Sequence, residues 1–163
     1  MSLDFDKRLE RAIQRGQTTR DLRGRAEAER ELTAEELKSL HSRSRLELAD
    51  HIEECLRRLA DHFPGFVFKT VMSDAGWGAQ ISRDDLGIKR GAGAGSFYSR
   101  LEIVVSPLGT ASIIELVGKG TIRNKEVFHR RNFQQLAQVD IDSFRELVDL
   151  WVLEFAELFA ADA

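Results

Sequence analysis

The feature that most restricts this chain is a change in the period of its apolar residues at Pro64-Gly65. Before it, Leu37, Leu40, Leu48, Ile52, Leu56, Leu59 and Phe63 recur at helical spacing, and Thr33 with Glu36 forms a capping-box signature where that run begins. After it, "FVFKTVMS", "AQISR", "FYSRLEIVVS", "ASIIELVGKGTIR" and "EVFHRRNF" are rich in β-branched and aromatic residues and are separated by turn-forming stretches. Helical spacing returns from Asp140 to Ala160, with Asp142 or Ser143 as the N-cap and a wide stripe of Phe144, Leu147, Val148, Trp151, Phe155, Leu158 and Phe159. This order predicts an α+β two-layer fold, a meander sheet of about five antiparallel strands packed against a long N-terminal helix and a C-terminal helix.

A chain of 163 residues suits one domain with a real core, placed here over residues 33–163, after an N-terminal arm over 1–32. In the arm, Phe5, Leu9, Ala12 and Ile13 predict a short amphipathic helix, while residues 14–31 hold only Leu22 as a large apolar side chain and suit a solvated helix or a tether. The long helix, at 1.5 Å per residue, makes a rod of about 45 Å. A domain of this size is about 30 to 35 Å across, so part of the rod is expected to overhang or pair with another chain.

No apolar run reaches membrane-spanning length, since "LVDLWVLEFAELFAA" is interrupted by Asp149, Glu154 and Glu157. Charged first residues and a single cysteine, Cys55, fit a cytoplasmic protein. The net charge of -3 conceals a division: residues 64–138 carry +4 and residues 139–163 carry -6.

The segment "KRGAGAGSF" spaces Gly91, Gly93 and Gly95 one residue apart. Phosphate-cradling glycine loops lead from a strand into a helix N-terminus, whereas this one leads into a strand and lacks the Gly-Lys-Ser/Thr ending. It reads as a long connection between strands rather than an anion nest.

Hairpin turns at Asn124-Lys125 and Leu108-Gly109 would place Ile122 opposite Val127, Gly120 opposite His129, Gly118 opposite Arg131, Val104 opposite Ile113 and Glu102 opposite Glu115. Both hairpins then agree on a core face of Phe97, Leu101, Ile103, Val105, Ile114, Leu116, Ile122, Val127 and Phe133. The opposite face carries Tyr98, Arg100, Glu102, Glu115, Lys119 and Arg130, with Phe128 and Asn132, and is the expected ligand-binding surface. His129 and Arg131 would point at the core opposite Gly120 and Gly118, where either the missing side chains leave a polar pocket or a glycine bulge flips the end of the strand outward, the bulge being preferred.

Opposed Glu102 and Glu115 are the one pair that suggests a hydrolase, since two close carboxylates can split their pKa values. Basic side chains on the same face favour a neutralised lattice instead. His51, Cys55 and His62 share one side of the long helix within about 40°, but a single helix offers too few converging ligands for tetrahedral zinc. Cys55 reads as a core residue, and no metal or cofactor is expected. The functional expectation is a non-catalytic, homo-oligomeric binding or adaptor domain with a protein or anionic small-molecule partner and no membrane. Small-molecule or nucleic-acid binding on the basic sheet face comes second, nucleic acid being disfavoured by the acidic balance, and hydrolysis by Glu102 and Glu115 comes third.

Overall fold

In the computed structural model of the protein, which describes residues 2–29, 32–89 and 93–162, the chain divides into two units, Met1–Ala34 and Glu35–Ala163. The first unit holds one helix, α1, Ser2–Glu29. The helix expected over 3–13 therefore continues through residues anticipated as helix or tether, with Gly16 and Gly24 in its interior. Its apolar residues are exposed: Phe5 by 63%, Leu9 by 46% and Ile13 by 51%.

The second unit is the α+β two-layer fold. Helix α2, Ala34–His62, is followed by strands β1, Val67–Ser73, β2, Gly76–Lys89, β3, Gly93–Val105, β4, Ile113–Ile122, and β5, Lys125–Gln135, and then by helix α3, Ile141–Asp162. All neighbours pair antiparallel in the order β1-β2-β3-β4-β5, a meander. Helix α2 starts directly after Thr33 and stops before Pro64, which cannot continue it. Asp140 caps α3, its Oδ1 accepting the Ser143 N–H at 3.3 Å, so the cap lies earlier than Asp142 or Ser143.

Both helices cover one face of the sheet. They lie side by side and run in the same direction, as the pairs Glu47–Arg145, His51–Asp149 and Phe63–Phe159 show. Leu48, Ile52, Leu56 and Leu59 of α2 meet Phe144, Val148, Trp151 and Phe155 of α3 over Ile81, Leu101, Ile103, Ile114 and Leu116. Burying each such side chain contributes roughly 1.5 to 3 kcal/mol. The expected overhang of α2 is absent: Leu37 and Leu40 near its start and Phe63 just beyond its end all pack on this core.

The register differs from expectation in three places. The chain between β3 and β4 runs over residues 106–112 rather than turning tightly at Leu108-Gly109, so Glu102 faces Lys119 and Val104 faces Val117. This slip of four residues is even, and every side chain keeps its face. Between β4 and β5 the turn is Arg123-Asn124, not Asn124-Lys125; both residues have positive φ, 48° and 68°, the backbone of a two-residue type I′ hairpin. A bulge then makes Val127 the extra residue, so that Gly120 faces Phe128 and Gly118 faces Arg130.

The bulge moves Phe128 and Arg130 to the helix side, sends His129 and Arg131 outward, and leaves Phe133 60% exposed rather than in the core. The third difference lies in the glycine-rich segment. Strands β2 and β3 pair out to Gly87–Gly95 and Lys89–Gly93, so Gly93 and Gly95 belong to a strand and not to a long connection, while Gly91 falls outside the described residues.

Candidate functional site

Among the described residues, no other element of the unit lies on the sheet face turned away from α2 and α3. Alternation brings Gln80 and Ser82 of β2, Tyr98, Arg100, Glu102 and Val104 of β3, and Val117, Lys119 and Thr121 of β4 to this side. A depression of about 300 Å³ lies among Tyr98, Arg100, Glu102, Lys119, Thr121 and Asn124.

The Arg123-Asn124 turn closes one end of it, because it folds back along β3. Asn124 Oδ1 accepts the Tyr98 N–H at 2.8 Å, the Asn124 N–H donates to the Tyr98 carbonyl at 2.8 Å, and Asn124 Nδ2 donates to the Ser96 carbonyl at 2.9 Å. Arg100 Nη2 donates to Glu102 Oε2 at 2.7 Å, while the buried Arg100 Nε–H finds no acceptor among the described residues. Buried unpaired donors are uncommon in folded proteins.

Of the side chains anticipated for this surface, Tyr98, Arg100, Glu102 and Lys119 do come together. Glu115 shares the face at a distance: Ser106 Oγ donates to its Oε1 at 2.9 Å and Arg131 Nη1 stands 3.6 Å away. The opposed Glu102–Glu115 pair therefore does not form, and the geometric basis for a carboxylate hydrolase goes with it. Arg130 is on the other side of the sheet, where it meets both carboxylate oxygens of Glu154 on α3. Thr121 and Asn124 escaped the sequence argument because they depend on the turn position.

A second constellation sits on the outer seam between α2 and α3. His51 Nε2 is 2.8 Å from Asp149 Oδ1, Cys55 Sγ is 3.5 Å from His51 Nε2, and Cys55 donates to Asp149 Oδ1 at 3.4 Å. Burial, then the hydrogen bond to Asp149 and its charge, pushes the Cys55 thiol up to about 12. Both contacts use the same ring nitrogen, so the imidazole cannot bridge thiol and carboxylate through opposite edges as a nucleophile-activating triad requires. His62 instead shares its Nδ1 with the Arg58 carbonyl at 2.8 Å. Sequence reasoning found His51 and Cys55 but had no means of finding Asp149, 94 positions further along the chain.

A third cleft, of about 460 Å³, opens beside the start of α2 among Lys38, His41, Asp74, Trp77 and Pro107. His41 is buried, with Nε2 donating to the Ser106 carbonyl at 3.1 Å. Desolvation lowers its pKa, partly offset by that hydrogen bond, and the nearby Arg45 charge adds to the lowering. Arg45 itself stacks on the Trp77 ring.

Fold and sites together define a two-layer α+β domain with an antiparallel meander, one clad face and one unclad face. No family model, curated protein or solved structure matches the chain. Among the described residues no helix is long and apolar enough to cross a membrane.

Proposed function

We propose that residues 35–163 form a non-catalytic binding domain that holds a polypeptide partner across the unclad sheet face, and that the chain self-associates through α1 in the cytoplasm. The observation behind the first part is the depression at Tyr98, Arg100, Glu102 and Lys119, on the sheet face opposite α2 and α3. Its charges are mixed: Glu102 engages Arg100 and faces Lys119, and half-buried Val117 and exposed Phe133 share their face. A surface of alternating signs with apolar flanks matches a polypeptide better than a phosphate backbone, which calls for unneutralised cations. Arg130 is engaged by Glu154 on the opposite face, and the cation that takes its place here, Arg131, stands 3.6 Å from Glu115, with His129 opposite Lys119. Self-association rests on Phe5, Leu9 and Ile13, since a lone solvated helix with two interior glycines is marginal and an apolar stripe invites cover.

Photo-crosslinking from Thr121 and from Val117, in cells that make the protein naturally, tests the first part, with exposed Glu157 on α3 as the control position. One polypeptide captured from both sheet positions, lost in Arg100→Glu and absent from position 157, is the expected result. Capture from all three positions alike, or thermal stabilisation by oligonucleotides or phosphorylated metabolites that Arg100→Glu abolishes, would replace it with another reading. Sedimentation equilibrium at micromolar concentration tests the second part: a mass well above 18.5 kDa is expected, returning to that value when Phe5, Leu9 and Ile13 become serine.

A further inference from the structure

Three different metal-ligand atoms converge on the seam between α2 and α3. His51 Nε2, Cys55 Sγ and Asp149 Oδ1 all lie within 4.8 Å of one another, and this is the group with that property among the described residues. The i, i+4 spacing of His51 and Cys55 puts both on one side of α2, and the parallel packing of the helices brings Asp149 against them.

We propose that His51, Cys55 and Asp149 form a three-ligand site for a zinc ion, with its fourth coordination position open to the adjoining groove. Tetrahedral zinc with bonds of about 2.0 to 2.3 Å separates nitrogen from sulfur, and sulfur from oxygen, by about 3.6 Å. The observed separations are 3.5 Å and 3.4 Å. Nitrogen and oxygen would stand about 3.3 Å apart on the ion. They are 2.8 Å apart with a shared proton between them, so replacing that proton by metal needs a shift of a few tenths of an ångström. Asp149 is half-exposed and has room to make it.

The donor set selects the class of ion. Magnesium and calcium take oxygen ligands, whereas one thiolate, one imidazole and one carboxylate suit a borderline divalent ion, zinc being the common case. Access exists, because Cys55 and Asp149 line a groove of about 510 Å³ whose other walls include Arg58, His62, Phe63 and Leu153. Three protein ligands with an open fourth position is the pattern of sites that bind water or a small ligand on the metal.

Protonation balances without a further reactant. The Cys55 thiol gives its proton to solvent as the sulfur–zinc bond forms. The His51 ring passes to its Nδ1–H tautomer: Nε2 gives the proton it shares with Asp149 to solvent, Nδ1 takes one up from solvent, and the Nε2 lone pair then faces the ion. This site involves neither the sheet face nor α1, and stands or falls independently of the binding function.

Reduced full-length protein, stripped with a chelator, would be titrated with Co²⁺ as a spectroscopic probe and with Zn²⁺ in competition against a chromophoric chelator. One ion per chain is expected, with near-ultraviolet thiolate-to-cobalt absorption. Cys55→Ser should abolish that absorption, and Cys55→Ser, His51→Ala and Asp149→Asn should each weaken zinc binding by at least about tenfold. Urea unfolding of the metal-free forms separates ligand loss from misfolding, and Asp149→Asn, on an exposed position, keeps the test open if the half-buried His51 and Cys55 variants fail to fold. Cobalt bound without sulfur absorption, zinc binding equal in wild type and Asp149→Asn, or no saturable binding would each overturn the site.

Discussion

The indole of Trp151 lies directly on Gly118: a Cβ at that glycine would come within 2.5 Å of Cε3 and 2.8 Å of Cζ3. Gly118 is thus the floor on which α3 sits; Gly120 is tight but less extreme, a Cβ there coming within 3.0 Å of Phe128 and 3.2 Å of Phe155. Close packing of helix on sheet leaves no room for a methyl group at Gly118.

Gly118→Ala is accordingly expected to destabilise the domain by about 1 to 3 kcal/mol through displacement of the Trp151 ring. Gly109→Ala, where a Cβ meets nothing within 4 Å, should stay within about 0.5 kcal/mol. Urea-unfolding midpoints, with Trp fluorescence as the probe, check both. Equal midpoints for Gly118→Ala and wild type would show that α3 does not rest on this glycine.

His41 makes stability depend on pH with a definite sign. Its folded pKa lies below the ordinary value of 6.5, chiefly because burial disfavours the imidazolium. In that window the unfolded chain binds more protons, so stability rises with pH. The contribution is complete above about pH 6.5 and is lost as pH falls through the folded pKa. Asp74 and Lys38 line the same cleft with opposite charges. Thermal melts between about pH 5 and 7.5 should show a drop on the acid side that His41→Gln reduces. An unchanged drop would place its origin elsewhere.

Cys55 should be a sluggish thiol in the metal-free protein. With its pKa at about 12, its thiolate fraction at pH 8 is two to three orders of magnitude or more below that of an ordinary cysteine. Iodoacetamide labelling followed by mass spectrometry should be correspondingly slow in the folded state and fast in urea. Asp149→Asn, which removes the charge that helps hold the proton, should speed labelling without unfolding. Rapid labelling of the native wild type would contradict the burial and hydrogen bonding described.

The bulge at Val127 is tested through Arg130 and Glu154. The hydrogen-bonded pair raises the Arg130 pKa and lowers that of Glu154. Both side chains are well exposed, so a double-mutant cycle should give a coupling of only about 0.2 to 1 kcal/mol at pH 7. The depressed Glu154 value means the coupling is present above the ordinary carboxylate range and disappears as pH falls through the folded pKa. The register expected from the sequence puts Arg130 on the opposite side of the sheet from α3, where the cycle would read zero.

Local pattern alone determined the element types. The change of period at Pro64-Gly65, the capping signature at Thr33 and the stripe from Phe144 to Phe159 foretold two helices enclosing a strand meander, because helical and extended repeats are properties of neighbouring residues. Five of the six anticipated surface residues, Tyr98, Arg100, Glu102, Glu115 and Lys119, kept their face for the same reason, and because the β3–β4 slip was even, four of them lining the depression. Only the tertiary structure decided the rest. Which residue bulges is a choice among nearly equivalent pairings, and here Phe128 beside Gly120 and Phe155, with Arg130 on Glu154, selected Val127. That odd shift carried Arg130 off the face. The meeting of Asp149 with His51 and Cys55 likewise depends on how far α3 slides along α2, which is set by aromatic packing of Phe155 and Phe159 against Phe63 and Phe66 rather than by any spacing within either helix.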